Sequence, residues 1–179
     1  NSAWIGGAIQ IVGSNAGIYD SNFVENNAIQ GGAVYINGND ATVNNSTFIN
    51  NTATHNLASQ ILDDTSLVTS GGAMFIQSND VNIKDTSFES NVAEGNYSTG
   101  TGLGGGLYLL GQNPDFDNVN FTHNDATFGG GVYIEGNNIG ASNINLYNNT
   151  AVEGGAVFID GNDIILNKIT AKENEAIQG

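Results

Sequence analysis

Apolar and polar residues alternate at a period of two over short stretches of this chain, and the stretches themselves recur. Val34 and Ile36 flank Tyr35, as Met74 and Ile76 flank Phe75, Val132 and Ile134 flank Tyr133, and Val157 and Ile159 flank Phe158. That period puts the aliphatics on one face of a β-strand and the aromatic on the other. Each stretch follows a Gly pair and precedes a turn such as Gly38-Asn39-Asp40 or Gly161-Asn162-Asp163, where left-handed backbone costs least. A second short strand is predicted around Ile18, Val43, Ile83, Phe116, Ala141 and Leu166. A third is predicted around Phe23, Phe48, Phe88, Phe121, Leu146 and Ala171.

The recurrence has a fixed register. Gly pairs open at Gly6, Gly31, Gly71, Gly104, Gly129 and Gly154, and Gly179 begins a further unit; four of the six intervals are 25 residues, the others 40 and 33. An Asn stands 20 residues after the first Gly of every unit, at Asn26, Asn51, Asn91, Asn124, Asn149 and Asn174, with an Ala two positions later. Asn1 and Ala3 occupy the same columns of a preceding unit, so residues 1–179 read as a single segment excised from a longer array. The prediction is an all-β fold: a right-handed parallel β-helix, or solenoid, of about six 25-residue rungs with three short strands per rung. Two columns support a packed interior. Phe gives way to Leu146 and Ala171 where the column two residues earlier grows from Ser21, Ser46 and Thr86 to Val119, Ile144 and Ile169, which conserves core volume. The Asn column suits a ladder in which each amide donates to one neighbour, accepts from the other and satisfies turn backbone groups between them.

The unit Gly-Gly-Ala-[Ile/Val] followed by Phe-x-x-Asn resembles the repeat of the chlamydial polymorphic outer-membrane proteins. It is also similar to the Asn-rich adhesin-like surface proteins of methanogenic archaea. The first motif stands at Gly6 to Ile9, Gly31 to Val34 and Gly154 to Val157; the second at Phe23 to Asn26, Phe48 to Asn51, Phe88 to Asn91 and Phe121 to Asn124. Runs such as Asn44-Asn45-Ser46-Thr47-Phe48-Ile49-Asn50-Asn51-Thr52 favour the archaeal type. The resemblance implies an extracellular, cell-surface β-helical stalk with a role in adhesion, and it specifies the scaffold better than the ligand.

Composition narrows the partners. The chain carries 29 Asn, no Cys, no Arg and three Lys, with a formal charge of −15. Three lysines cannot neutralise the phosphates that nucleic-acid affinity requires, and the charge repels them. Absence of Cys removes disulfides, Cys-ligated zinc and thiol nucleophiles. No apolar run approaches the ~20 residues of a membrane span, so direct insertion of this segment is not expected. No cofactor is expected either. The partners that remain are a host or neighbouring cell surface, a glycan or a protein, together with flanking repeats of the same chain.

Several residue sets carry candidate chemistry. The strand position facing away from the core reads Gln10, Tyr35, Phe75, Tyr108, Tyr133, Phe158. A row of exposed rings would bind sugar or an apolar partner, or would stabilise the sheet by stacking or lie under a loop. Insertions at 54–70 and 94–103 lengthen two units at the same place, before the Gly corner, and loops on one face of a solenoid often build binding sites. Leu57, Ile61, Leu62, Leu67 and Val68 are spaced for a short helix in the first. Glu135 and Asp160 fall at equivalent positions of adjacent units, a pair that in a carbohydrate-active β-helix would do acid–base work on a glycosidic bond. No Arg is present to serve as a lyase base, and His55 and His123 lie in different columns, so the expectation is a non-enzymatic scaffold. Asp40, Asp80 and Asp163 recur at one turn and are weak calcium candidates. Asn-x-Ser/Thr sequons occur at Asn44, Asn45, Asn50, Asn96, Asn120 and Asn148.

Overall fold

A computed structural model describes residues 1–54, 68–95 and 100–178. Every regular element among the described residues is a β-strand, and every strand pair is parallel. Residues 55–67, which hold most of the expected helix and His55, lie outside the described residues, as do residues 96–99 of the second insertion, with Asn96 among them. The first sheet stacks Ile9–Val12, Val34–Asn37, Met74–Gln77, Leu107–Leu110, Val132–Glu135 and Val157–Asp160 in sequence order. Its register aligns Gln10, Tyr35, Phe75, Tyr108, Tyr133 and Phe158. Each strand thus pairs with its counterpart one sequence unit away.

The sheets divide the unit differently from the expected three strands. The predicted second and third strands belong to one sheet, running for example through Asn82–Glu89, Asp115–Thr122, Ile139–Tyr147 and Ile164–Lys172. Each run bends at a left-handed residue: Asp20, Asn45, Asp85, Asn118, Asn143 and Lys168, with φ between 47° and 55°. Where Ser46 or Thr86 follows the bend, the buried hydroxyl donates back across it to the carbonyl of Asn44 or Lys84, at 2.9 and 2.6 Å. A further set of short strands, among them Asn27–Ala28, Thr52–Ala53, Thr150–Glu153 and Glu175–Gln178, follows the Asn column, where the alternation predicts none.

Left-handed backbone explains much of the unusual composition. Each unit uses it at the first Gly and again nine, fourteen and nineteen residues later; Gly31, Asp40, Asn45 and Asn50 form one such set. Asn and Asp fill thirteen of the eighteen non-Gly positions, as their short polar side chains tolerate that conformation best. The Gly pair has two separate causes. Gly31 has φ +59°, whereas a Cβ on Gly32 would run into the carbonyl oxygen of Gly72 in the next unit.

One apolar core runs the length of the described chain, from Ala16 to Ala156. At its centre Phe23, Phe48, Phe88 and Phe121 stack with successive centroids 4.9 Å apart and ring planes within 9°. Leu146 continues the column, and Val119 and Ile144 are buried beside it. At the C-terminal end the core opens onto an apolar cavity of about 190 Å³ lined by Val157, Ile159, Leu166 and Ile169 among others.

Candidate functional site

The Asn column lies between the second sheet and the strands that follow it. From Asn51 to Asn149 all four members have 0% exposure. Their bonding is uniform: the main-chain N–H and the Nδ2 of Asn51 both donate to Asn91 Oδ1, at 2.9 and 3.0 Å. The second hydrogen of Asn51 Nδ2 goes to the Phe23 carbonyl at 3.0 Å. Asn91, Asn124 and Asn149 repeat the pattern toward Asn124, Asn149 and Asn174, returning to the carbonyls of Phe48, Phe88 and Phe121. Buried amides are thus fully satisfied, which a low-polarity interior requires. The column is a structural spine with no group left over for a ligand.

The aromatic row is covered over most of its length, which corrects the expectation of exposed rings. Tyr35, Phe75 and Tyr108 are 9%, 6% and 8% exposed. They form a second apolar cluster against Ile5, Leu103, Leu110 and Tyr133. Period-two alternation had placed them correctly on the face away from the core, but that face is itself overlaid. Tyr133 and Phe158 are half-buried and stack at 4.9 Å with planes 2° apart, and Phe128 meets Phe158 edge-on at 5.6 Å. Tyr108 donates its hydroxyl to Glu135 Oε2 at 3.1 Å. Burial, followed by the adjacent Glu135 carboxylate, pushes the Tyr108 phenol well above the usual tyrosine range. Burial, then Glu135 and Asp160, also raises Tyr133.

Glu135 and Asp160 are register partners on the first sheet and both are exposed. The candidate calcium ligands do not converge. Asp40 and Asp80 stand in neighbouring units, but Asn113 and Asn138 intervene before Asp163. Asp80 Oδ1 already accepts from Asn113 Nδ2 at 2.9 Å, and Asn113 Oδ1 from Asn138 Nδ2 at 3.0 Å. Among the described residues no group of three or more His, Cys, Asp or Glu is arranged to hold a metal ion. His123, at a left-handed corner, meets the Tyr147 ring edge-on at 5.5 Å. Of the sequon residues, Asn45, Asn50 and Asn148 are exposed at left-handed corners. Asn44 and Asn120 are half-buried, and the Oδ1 of Asn44 is buried without a partner among the described residues.

Two polar features escaped the sequence reading. The ends of both insertions are tied together at their bases: Thr54 Oγ1 donates to Glu94 Oε2 at 2.5 Å, and Thr69 Oγ1 to the Glu94 and Thr101 carbonyls. Thr127 adds a bond to the Gly100 carbonyl at 2.6 Å and accepts from the Gly102 N–H at 2.9 Å. The second feature is another line of polar side chains, Ser14, Asn39, Asn79, Gln112, Asn137 and Asn162, at the turn after the first sheet. Here the main-chain N–H of each later unit donates to the side-chain oxygen of the earlier one, as from Asn79 to Asn39 at 3.2 Å and from Gln112 to Asn79 at 2.9 Å. The direction is opposite to that of the buried spine. Its signal was the recurrence of amides eight residues after the first Gly, in five of six units.

No family model matches the chain, and no curated protein or solved structure proves detectably similar to it. The chemistry must therefore be read from its own surface. That surface is acidic and amide-rich, with rigid spacing set by sheet pairing. Asp117 illustrates the local order: hydrogen bonds from Asn143 Nδ2 at 2.7 Å and Ser142 Oγ at 2.9 Å hold its carboxyl below the usual range.

Proposed function

We propose that the chain is a non-enzymatic segment of an extracellular, cell-surface adhesin. In this reading it is a right-handed parallel β-helix of about six 25-residue rungs that acts as a stalk and display scaffold for recognition of cells, glycans or proteins. The observation that carries it is the separation of roles along each unit. Gly, Phe and Asn columns are locked by inter-unit contacts, while the outward columns change chemistry from unit to unit, as in Asn44, Lys84, Asp117, Ser142 and Asn167. Such a scaffold keeps its stiffness while its outer positions vary, as extended recognition surfaces need. Right-handedness follows from the general preference of parallel crossovers. The non-enzymatic reading is supported by Glu135, whose carboxylate is already engaged by Tyr108. It also agrees with the resemblance to adhesin-like repeats.

A passive spacer is the second reading, favoured by the burial of Tyr35, Phe75 and Tyr108. The test is adhesion of beads coated with the chain to a panel of bacterial, archaeal and animal cells under flow, with excess soluble chain as competitor. Competable retention on at least one cell type is expected. No retention on any cell supports the spacer, and polysaccharide depolymerisation by the chain that is lost in Glu135→Gln or Asp160→Asn would replace both readings with an enzyme.

A further inference from the structure

We propose that the groove along the turn after the first sheet, in the first four units, binds a neutral oligosaccharide. The groove is open to solvent along its length and has a volume of about 400 Å³, against roughly 300–1,000 Å³ for typical small-ligand sites. Its floor is the column of Gly38, Ser78 and Gly111, and Ser78 turns its hydroxyl onto the Asn79 carbonyl at 2.9 Å instead of into the opening. On one side stand Asn39 and Asn79, fixed by the line of amides described above. On the other stand Asn37, Gln77 and Leu110, which are register partners.

Asn37 and Gln77 set this surface apart. Most outward amides of the turns are paired to a neighbouring unit, whereas these two side chains line the groove with no hydrogen-bond partner among the described residues, and Gln77 is exposed. Each amide offers a donor and an acceptor together, the complement of a sugar hydroxyl, which is also both. Successive units place the two amides about 4.8 Å apart, comparable to the length of one pyranose ring, and Leu110 supplies an apolar surface for a ring's C–H face. Charge selects the class of sugar. No ionisable side chain lines the groove, no lysine is available there to hold an acid, and the −15 chain repels anionic glycans. An extended peptide is a poorer fit, because the turn's main-chain groups are spent between units, Gly38 N–H on Gln77 O at 3.1 Å and Ser78 N–H on Leu110 O at 3.0 Å. That leaves no free edge for strand addition.

This assignment names a ligand class for the recognition role proposed above and rests on that reading, at a site that borders the aromatic row through Leu110. The experiment is titration of the ¹⁵N-labelled chain with neutral hexaoses (cellohexaose, maltohexaose, xylohexaose, chitohexaose), with hexagalacturonate and with an Asn/Ser-rich hexapeptide, followed by amide chemical shifts. Saturable shifts confined to Gly38, Asn39, Ser78, Asn79 and Gly111 are expected with at least one neutral hexaose. Asn37→Ala/Gln77→Ala should weaken binding about tenfold or more, the loss of two hydrogen bonds, with an unchanged thermal midpoint. The proposal is overturned if no neutral hexaose moves these amides, if the double variant binds like the parent, or if hexagalacturonate or the peptide binds there better. Cell adhesion without hexaose binding would sink the groove and leave the adhesin reading standing; hexaose binding without adhesion would do the reverse.

Discussion

Replacing Asn91 by alanine cuts the buried amide spine at its middle. Asn91 Oδ1 accepts the main-chain N–H of Asn51 at 2.9 Å and Asn51 Nδ2 at 3.0 Å, while Asn91 Nδ2 donates to Phe48 O at 2.9 Å and Asn124 Oδ1 at 3.0 Å. Asn124 Oδ1 would keep the Asn91 main-chain N–H at 3.0 Å and so remain satisfied. Two donors on Asn51, a residue with 0% exposure, would be stranded away from water. Each buried donor left unmade costs about 1–3 kcal/mol, so Asn91→Ala should cost about 2–6 kcal/mol. Typical total stabilities are only ~5–15 kcal/mol, which makes this a large fraction. Asn162→Ala is the control: Asn162 is exposed and its Nδ2 donates to Asn137 Oδ1 at 3.0 Å where water can replace it, so the cost should be about 1 kcal/mol. Equilibrium urea denaturation of the two variants, followed by far-UV circular dichroism and compared at equal m, measures the difference. A loss below ~1 kcal/mol for Asn91→Ala, or equal losses for the two variants, would refute the reasoning from stranded donors.

Phe88→Ala empties the centre of the ring stack and should cost about 3–5 kcal/mol, whereas Lys84→Ala on the opposite face should cost under ~0.5 kcal/mol in the same denaturation assay. Tyr108 holds its proton more tightly when folded than when unfolded. Above the unfolded tyrosine pKa of about 10 the unfolded chain therefore releases a proton that the folded chain keeps, and stability falls by about 1.4 kcal/mol per pH unit. Below that pH the contribution is intact. Denaturation across the alkaline range should show this slope in the parent and a shallower one in Tyr108→Phe.

The columns most legible in the sequence were those where one physical demand admits few residues. The Gly pair answers to a left-handed φ at Gly31 and a close backbone approach at Gly32, the Phe column to a stacked core, and the Asn column to amides that must pair in the interior. The bend at Asp85 or Lys168 was legible only as a gap between two predicted strands: burial changes phase across it, from Ile83 to Thr86 and Phe88, but several polar residues tolerate its conformation. The strands after the Asn column were missed for a related reason: Asn27–Ala28 and Val92–Ala93 are too short to show any period. The aromatic row failed differently. Alternation tells which side of a sheet Tyr108 faces, and nothing in its own strand tells that Leu103, from a preceding segment, packs over that side. At the groove, Asn37 and Gln77 sat in a chain so rich in amides that only the pairing of their neighbours distinguished them.

The stacking of equivalent units in parallel register is tested most directly by pulsed electron spin resonance between nitroxides on one outward column. Tyr19, Asn44, Lys84, Asp117, Ser142 and Asn167 are successive register partners, and the native chain has no Cys to interfere. Labels on Tyr19→Cys/Ser142→Cys are four units apart and on Tyr19→Cys/Asn167→Cys five. At about 4.8 Å per unit the backbone separations are ~19 and ~24 Å. Stacked parallel units predict two narrow distance distributions offset by about 5 Å, the longer belonging to Asn167. Equal distances, a reversed order, or a broad distribution for either pair would contradict it.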